Sequence, residues 1–104
     1  MMISTFSVDI TDIATEFTTR PVGAAARRQL LALLAEHEHI DVDLRNKSLT
    51  PSFADECIGQ LAAQMGLDDF RSRVKLINVA MSIRPLVKHV ILTRCGAARA
   101  HCHR

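Results

Sequence analysis

The sequence predicts a small α/β sandwich, and three observations carry that prediction. Residues 6–10 and 40–44 alternate apolar and polar side chains, as strands with one buried face do, and four of the six residues 74–79 are apolar. Segments with apolar residues at helical spacing lie between and after them. Strands that alternate with helices favour right-handed crossovers. We therefore expect a largely parallel or mixed sheet of three to four strands, packed by about three helices.

The first long helix is expected after Pro21 and Gly23 and should run to about Glu36. Its apolar residues form one continuous stripe, and most of its charged residues lie off that stripe. The members of the stripe are Val22, Ala26, Leu30, Leu33 and Leu34.

The second strand carries Asp41 and Asp43 on one face. Paired carboxylates near the carboxyl end of a strand could bind Mg²⁺ or act in acid–base catalysis. The sequence has only four scattered glycines and no glycine-rich phosphate loop. We therefore favour an edge strand or a partly solvated strand face over a catalytic pair.

The strongest helix-start signal is Thr50-Pro51-Ser52, where two N-caps compete. Thr50 as N-cap would place Pro51 at the favoured first helical position, whereas Ser52 as N-cap would pair with Asp55 in a variant of the capping box. In both cases Gly66 should end the helix. The apolar stripe of this helix is Phe53, Cys57, Ile58, Leu61, Ala62 and Met65, which makes Cys57 a buried thiol.

The remainder is predicted to be a connection, a strand and a last helix. Residues 68–70 form the connection, and Ser82 caps a helix with Pro85 in its first turn. The sequence after Gly96 has no periodicity. We thus expect one domain over residues 1–95 and a flexible basic tail over residues 96–104. The core face of the last helix is Ile83, Leu86, Val87, Val90 and Ile91.

Charge is distributed unevenly along the 104 residues. Lys and Arg total 13 against 11 Asp and Glu, a net charge of +2. All eleven acids lie at or before Asp69 with only five basic residues, which gives −6, and the last 35 residues carry eight basic residues and no acid. A hydrophobic share of 48% excludes a disordered chain, and the length excludes a two-domain enzyme.

Nothing in the sequence predicts a membrane span or a secretory signal. The three cysteines are an odd number without a C-x-x-C pair, which suits a reducing compartment better than a disulfide framework. The prediction is a soluble cytoplasmic protein without membrane contact.

Two segments resemble a known family. Residues 48–61 have the sequence SLTPSFADECIGQL and residues 74–79 have VKLINV. They resemble the STAS-like family of bacterial proteins of unknown function, which shows a strand ending in acidic residues, an S-x-T-P-S-F-A-D-E type turn into a helix and a V-K-L-I-N type strand. The resemblance covers about residues 5 to 92, and its specific part is the TPSFADE string.

The resemblance implies the fold of sulfate-transporter and anti-sigma-factor-antagonist domains. Those relatives are non-enzymatic modules that bind a protein partner, often a serine kinase of the histidine-kinase ATPase type. In them a serine at the start of the helix after a central strand is phosphorylated to release the partner, and Ser52 stands at that place. The usual Asp-Ser-Ser-Gly run is Thr50-Pro51-Ser52-Phe53 here, which departs from the pattern.

The candidate partner-binding and phospho-regulatory residues all belong to that helix start. A helix N-terminus favours a phosphate through its free N–H groups and its dipole. Plain capping is the simpler role for the two hydroxyls, and the two acids would repel an added phosphate. The candidates are Thr50, Ser52, Phe53, Asp55 and Glu56.

A basic face in the last third gives the alternative function. Cations there could attract nucleic acid or an acidic protein, and a phage- or plasmid-encoded inhibitor could act through the same face. The sequence has no Trp or Tyr for stacking and no reader motif, so nucleic acid is the less favoured partner. The sequence also leaves open whether the protein forms a homo-oligomer. The residues of this predicted face are Arg71, Arg73, Lys75, Arg84 and Lys88.

The histidines and cysteines invite a metal interpretation that we do not favour. A structural zinc site needs four ligands, usually as two close pairs on rigid turns, and the sequence does not offer that spacing. A nucleophilic triad lacks a recognisable nucleophile turn. We therefore expect no metal, no cofactor and no enzymatic activity. The residues considered for a metal are His37, His39, Cys95, His101, Cys102 and His103.

Overall fold

Three parallel strands form the sheet, in the spatial order β1-β2-β3. In the computed structural model, which describes the backbone of residues 5–103 and the side chains of residues 5–96, Ile40 of the middle strand pairs with both Phe6 and Val74. The α/β prediction with a parallel sheet is confirmed. The strands are β1 (Thr5–Asp9), β2 (His39–Asp43) and β3 (Val74–Ile77).

Six α-helices accompany the sheet in the described part of the chain. A π-helical segment, Asp55–Gly59, joins α3 to α4, and we call residues 51–65 the central helix. A 3₁₀ turn, Met81–Ile83, precedes α6. The helices are α1 (Ile10–Ile13), α2 (Arg20–Glu36), α3 (Pro51–Ala54), α4 (Gln60–Met65), α5 (Leu67–Arg73) and α6 (Arg84–His103).

The core lies on one face of the sheet. Ile40, Val42 and Leu44 are at most 1% exposed, whereas Ser7 and Lys75 on the opposite face are exposed. This difference follows from the two-residue period of a strand, which sends alternate side chains to opposite faces. The helices bury their apolar stripes against the first face, and the core includes Ala26, Leu30, Phe53, Cys57, Leu61, Val87 and Val90.

The central helix is held between α2 and α6 at very short range. A Cβ on Gly23 of α2 would lie 3.0 Å from Glu56 Cβ and from Phe53 O, and a Cβ on Gly59 would lie 3.0 Å from Val90 O of α6. A Cβ at either position would be in tighter contact than is usual, so the neighbouring atoms would have to shift. The π-helical segment therefore packs closely against α2 at Gly23 and against α6 at Gly59.

Several details differ from the sequence prediction. α2 begins at Arg20, so Pro21 and Gly23, which the prediction places before this helix, lie within it. The predicted connection at residues 68–70 is the interior of α5, because Gly66, at φ 89°, ends α4 and is at once the N-cap of α5. Ser82 lies in the 3₁₀ turn before α6 and does not cap that helix directly. The backbone of residues 96–103 continues α6, while the flexibility expected for this tail stays a prediction.

Among the described residues, no helix is both long enough and apolar enough to cross a membrane.

Candidate functional site at the start of the central helix

Thr50 is the N-cap of the central helix. Its Oγ1 accepts a hydrogen bond from Phe53 N–H at 3.2 Å and donates one to Thr18 O at 2.7 Å. Its own N–H donates to Phe17 O at 3.1 Å. The structure therefore selects Thr50 over Ser52 as the cap, and the Thr50 hydroxyl is fully used in joining the helix start to the segment before α2.

Phe53 is part of the core. It is 0% exposed and meets Phe17 edge to face, with ring centroids 5.7 Å apart. A partner cannot reach a side chain buried to this degree, so Phe53 supports the helix start from beneath. Its predicted role in direct partner contact is corrected to this structural one.

Ser52 occupies the second helical position and is half-buried. Within the described part of the chain its hydroxyl makes no hydrogen bond. Pro51 beside it is exposed. Of the two hydroxyls predicted for regulation, Ser52 is therefore the one without a hydrogen-bond partner among the described residues.

Asp55, one turn further along, is bound by two arginines. Arg94 of α6 donates from Nε to Oδ1 at 2.8 Å and from Nη2 to Oδ2 at 2.6 Å, and Arg20 Nη1 lies 3.0 Å from Oδ2. The hydrogen bonds from Arg94, aided by those from Arg20, hold the pKa of Asp55 at about 2, against an ordinary value of 3.8. Asp55 is thus ionised at neutral pH, and its charge is compensated.

Glu56 is matched by a third arginine. Arg27 of α2 donates from Nη1 to Glu56 O at 2.6 Å and lies 3.6 Å from Oε1. The repulsion that the sequence predicts between these acids and a phosphate is therefore offset by Arg20, Arg27 and Arg94. The sequence analysis missed these arginines, because they lie 29 to 39 residues from their partners and no local motif marks them.

The predicted basic face does not form one surface. Arg73 turns inward and donates to three backbone carbonyls at the end of α2, those of Leu34, His37 and Glu38, at 2.6 to 3.0 Å. Lys75 lies on the uncovered face of the sheet. Arg71, Arg84 and Lys88 instead border a groove between α5 and α6. Arg71, Arg73 and Lys75 also line one pocket beside the first residues of the three strands, so Arg71 is shared between that pocket and the groove. The side chains of residues 71 and 73 do not alternate as on a strand, because both residues are helical.

The paired aspartates lie on the central strand and not on an edge. Asp43 Oδ1 accepts hydrogen bonds from Arg45 N–H and Asn78 Nδ2, both at 2.9 Å. These contacts join Asp43, the last residue of β2, to the segments that follow β2 and β3, where Arg45, Asn46 and Asn78 have positive φ. Asp41 is half-buried on the uncovered face of the sheet, which agrees with a partly solvated strand face.

Among the described side chains, no group of three or more His, Cys, Asp or Glu could hold a metal ion, and those of His101, Cys102 and His103 lie outside the described part. Cys57 is 0% exposed, and burial raises the pKa of its thiol to about 12, which confirms the buried thiol.

One family of known proteins matches the middle of the chain. The family described as a STAS-like domain of unknown function matches residues 23–84, which is more than half of the chain and includes the central helix and β3. No curated protein and no solved structure matches the chain significantly. The match agrees with the α/β architecture and with the resemblance of the TPSFADE string, and the chain therefore belongs to this family of STAS-like domains.

Proposed function

We propose that the chain is a non-catalytic regulatory module that binds a protein partner through the start of the central helix. We define the helix-start surface as Arg20, Pro51, Ser52 and Asp55. Membership of a STAS-like family is compatible with a regulatory or protein-interaction role. The partner class we propose is a histidine-kinase-like ATPase or another anti-sigma-type regulator.

One observation carries the choice of surface. The first turn of the central helix is fixed by the Thr50 cap, by Phe53 in the core and by Arg94 on Asp55, yet Ser52 keeps an unused hydroxyl. A rigid turn with one available hydroxyl is suited to a regulated docking contact, because little entropy is lost when a partner binds to it.

Phosphorylation of Ser52, and not of Thr50, is the regulation that we propose. A phosphate at the second helical position would meet the positive end of the helix dipole. It would also lie one turn from Asp55, whose partner Arg20 has a side chain that is 53% exposed. Phosphorylation of Thr50 would instead remove the N-cap that orders the turn.

The experiment compares complexes formed by charge-changed variants. The tagged chain is used to isolate partners from the cells that produce it, and the dissociation constant of the recovered complex is measured for wild type, Ser52→Glu and the control Ser82→Glu. Ser82 is exposed on a different element. We expect Ser52→Glu to weaken the complex at least tenfold and Ser82→Glu to leave it within about twofold.

Each part of the proposal can fail separately. Equal affinity of wild type, Ser52→Glu and Arg20→Glu for the partner would show that the helix-start surface does not dock it. Intact-mass analysis of the wild-type chain from those cells should contain the increment of one phosphate, located at residue 52. Absence of that increment under all growth conditions would exclude phospho-regulation while leaving the docking test intact.

A further inference from the structure

The groove between α5 and α6 is a second surface that the helix start does not use. It has a volume of about 320 Å³. The side of α5 that borders it carries Leu67, Phe70 and Arg71, which fall at helical spacings of three and four residues. Val79 also lines the groove.

The opposite wall is a continuous face of α6. Its residues follow the spacing 0, 3, 4, 7 and 8, which places all of them on one side of a helix. Phe70 and Val87 form a buried floor, at 5% and 6% exposure, while Leu92 is 41% exposed. The face consists of Arg84, Val87, Lys88, Ile91 and Leu92.

The charge around this groove is of one sign and uncompensated. Arg71, Arg84 and Lys88 are exposed, and none of them forms an ion pair within the described part of the chain. Arg84 Nε donates to Val79 O at 3.3 Å, which leaves its terminal nitrogens available. At the helix start, by contrast, Arg20, Arg94 and Arg27 all have acidic partners.

We propose that this groove binds an acidic amphipathic helix of a protein partner. The apolar floor of the groove favours apolar side chains on the bound helix. The three unpaired cations at its borders favour acidic side chains beside them. The α6 face from Arg84 to Leu92 is about 12 Å long, which matches about two turns of a bound helix.

Other occupants fit the groove less well. The backbone groups of α5 and α6 are satisfied within the helices, so the walls offer no main-chain ladder to an extended peptide. Among the described residues that line the groove, the one aromatic residue is Phe70, which is buried, and nucleic acid therefore finds no stacking platform there. An open floor with Leu92 exposed does not enclose a free acyl chain.

A second copy of the chain is also a poor occupant. The other large hydrophobic side chains that are exposed in the described part of the chain are Phe6, on a strand, and Met81, on the 3₁₀ turn. Neither belongs to an acidic helix face that could enter the groove.

The test selects ligands without assuming a partner. A displayed library of random peptides of about four helical turns is selected on the full chain and counter-selected on the double variant Arg84→Glu/Lys88→Glu. We expect enriched peptides to carry apolar residues at i, i+3 or i+4, and i+7, flanked by Asp or Glu. No enrichment, or enrichment of basic or extended motifs, would overturn the proposal.

A matched control separates this groove from general attraction to positive charge. The dissociation constant of one enriched peptide is measured by fluorescence anisotropy on wild type, on the double variant and on Lys75→Glu, a charge reversal on the uncovered face of the sheet. We expect the double variant to bind at least tenfold more weakly and Lys75→Glu to change binding less than twofold. Equal weakening by both would refute a specific site, and so would stronger binding to DNA or dodecanoate through the same residues. A dimer that the double variant dissociates would assign the groove to a second copy and would equally refute it.

Discussion

Arg94 holds Asp55 through two hydrogen bonds, Nε to Oδ1 at 2.8 Å and Nη2 to Oδ2 at 2.6 Å. This pair joins α6 to the π-helical segment, and Arg20 joins α2 to the same carboxylate at 3.0 Å. Because charge-assisted, two-pronged bonds of this kind combine energy with fixed geometry, Asp55 is the point at which three helices are secured to one another.

Removing that carboxylate should destabilise the fold. We expect Asp55→Asn to lower the free energy of unfolding by about 1–3 kcal/mol, because hydrogen bonds to charged groups are lost and the side chain is only 16% exposed. Urea unfolding at neutral pH measures the change. The control Asp12→Asn, on an exposed side chain of α1, should stay within about 0.5 kcal/mol. Equal losses in the two variants would contradict the role of Asp55.

The pairing of Arg94 with Asp55 should make the stability of the fold depend on pH. The pKa of Asp55 is about 2 in the folded chain, against an ordinary 3.8, so its contribution is complete above the unfolded-state value and is lost as the pH falls from about 4 toward about 2. The difference in unfolding free energy between wild type and Asp55→Asn should shrink over that interval. Glu16 also has a pKa lowered to about 2, by hydrogen bonds from Thr19 and Thr18, but it is present in both proteins and cancels. A difference that stays constant with pH would refute the assignment.

Because the helices approach closely at two of the glycines, replacing glycine by alanine should have opposite effects on stability at different positions. Gly23→Ala and Gly59→Ala would place a Cβ 3.0 Å from neighbouring atoms, so each should lower the free energy of unfolding by about 1–3 kcal/mol. At Gly96, in α6, an added Cβ meets nothing within 4 Å, and Gly96→Ala should raise stability by up to about 1 kcal/mol. Thermal or urea unfolding of the three variants measures these changes in stability. A stabilised Gly23→Ala variant would contradict the close packing of α2 against the central helix at Gly23.

The two hydroxyls at the helix start should differ in their structural value. Thr50→Ala removes the cap and the bond to Thr18, and we expect it to cost about 0.5–2 kcal/mol of unfolding free energy. Ser52→Ala should change stability by less than about 0.5 kcal/mol, because the hydroxyl bonds to nothing in the described chain. Urea unfolding of the pair measures this. A larger loss for Ser52→Ala would make Ser52, and not Thr50, the cap.

The basic residues of the last third should also differ in how much they contribute to stability. Arg73 satisfies three carbonyls at the end of α2, so we expect Arg73→Ala to destabilise the chain by about 1–3 kcal/mol. Lys75→Ala, on the uncovered face of the sheet, should be nearly neutral. Chemical unfolding of both variants measures the difference. An unchanged free energy of unfolding in Arg73→Ala would mean that Arg73 has no structural role and is again a candidate for ligand binding.

Much of the fold could be predicted because it follows from local periodicity. Alternation at residues 40–44 and the stripe from Phe53 to Met65 depend only on neighbouring residues, and both correspond to observed elements with the predicted faces buried. α5 escaped prediction because only Leu67 and Phe70 mark its apolar face, and two acids beside them resemble a loop. The helix start was located correctly by Thr50-Pro51-Ser52, a signal contained within three residues.

The sequence by itself determined the parallel α/β order, the helix start and the family motif, since propensity, capping and hydrophobic period act over a few residues. Only the tertiary structure decided which arginine meets which acid, that Phe53 is core, and that Arg71, Arg84 and Lys88 share a groove from which Arg73 and Lys75 are absent. Those relationships join residues far apart in the chain. They depend on how the helices pack against one another, and no local pattern encodes that packing.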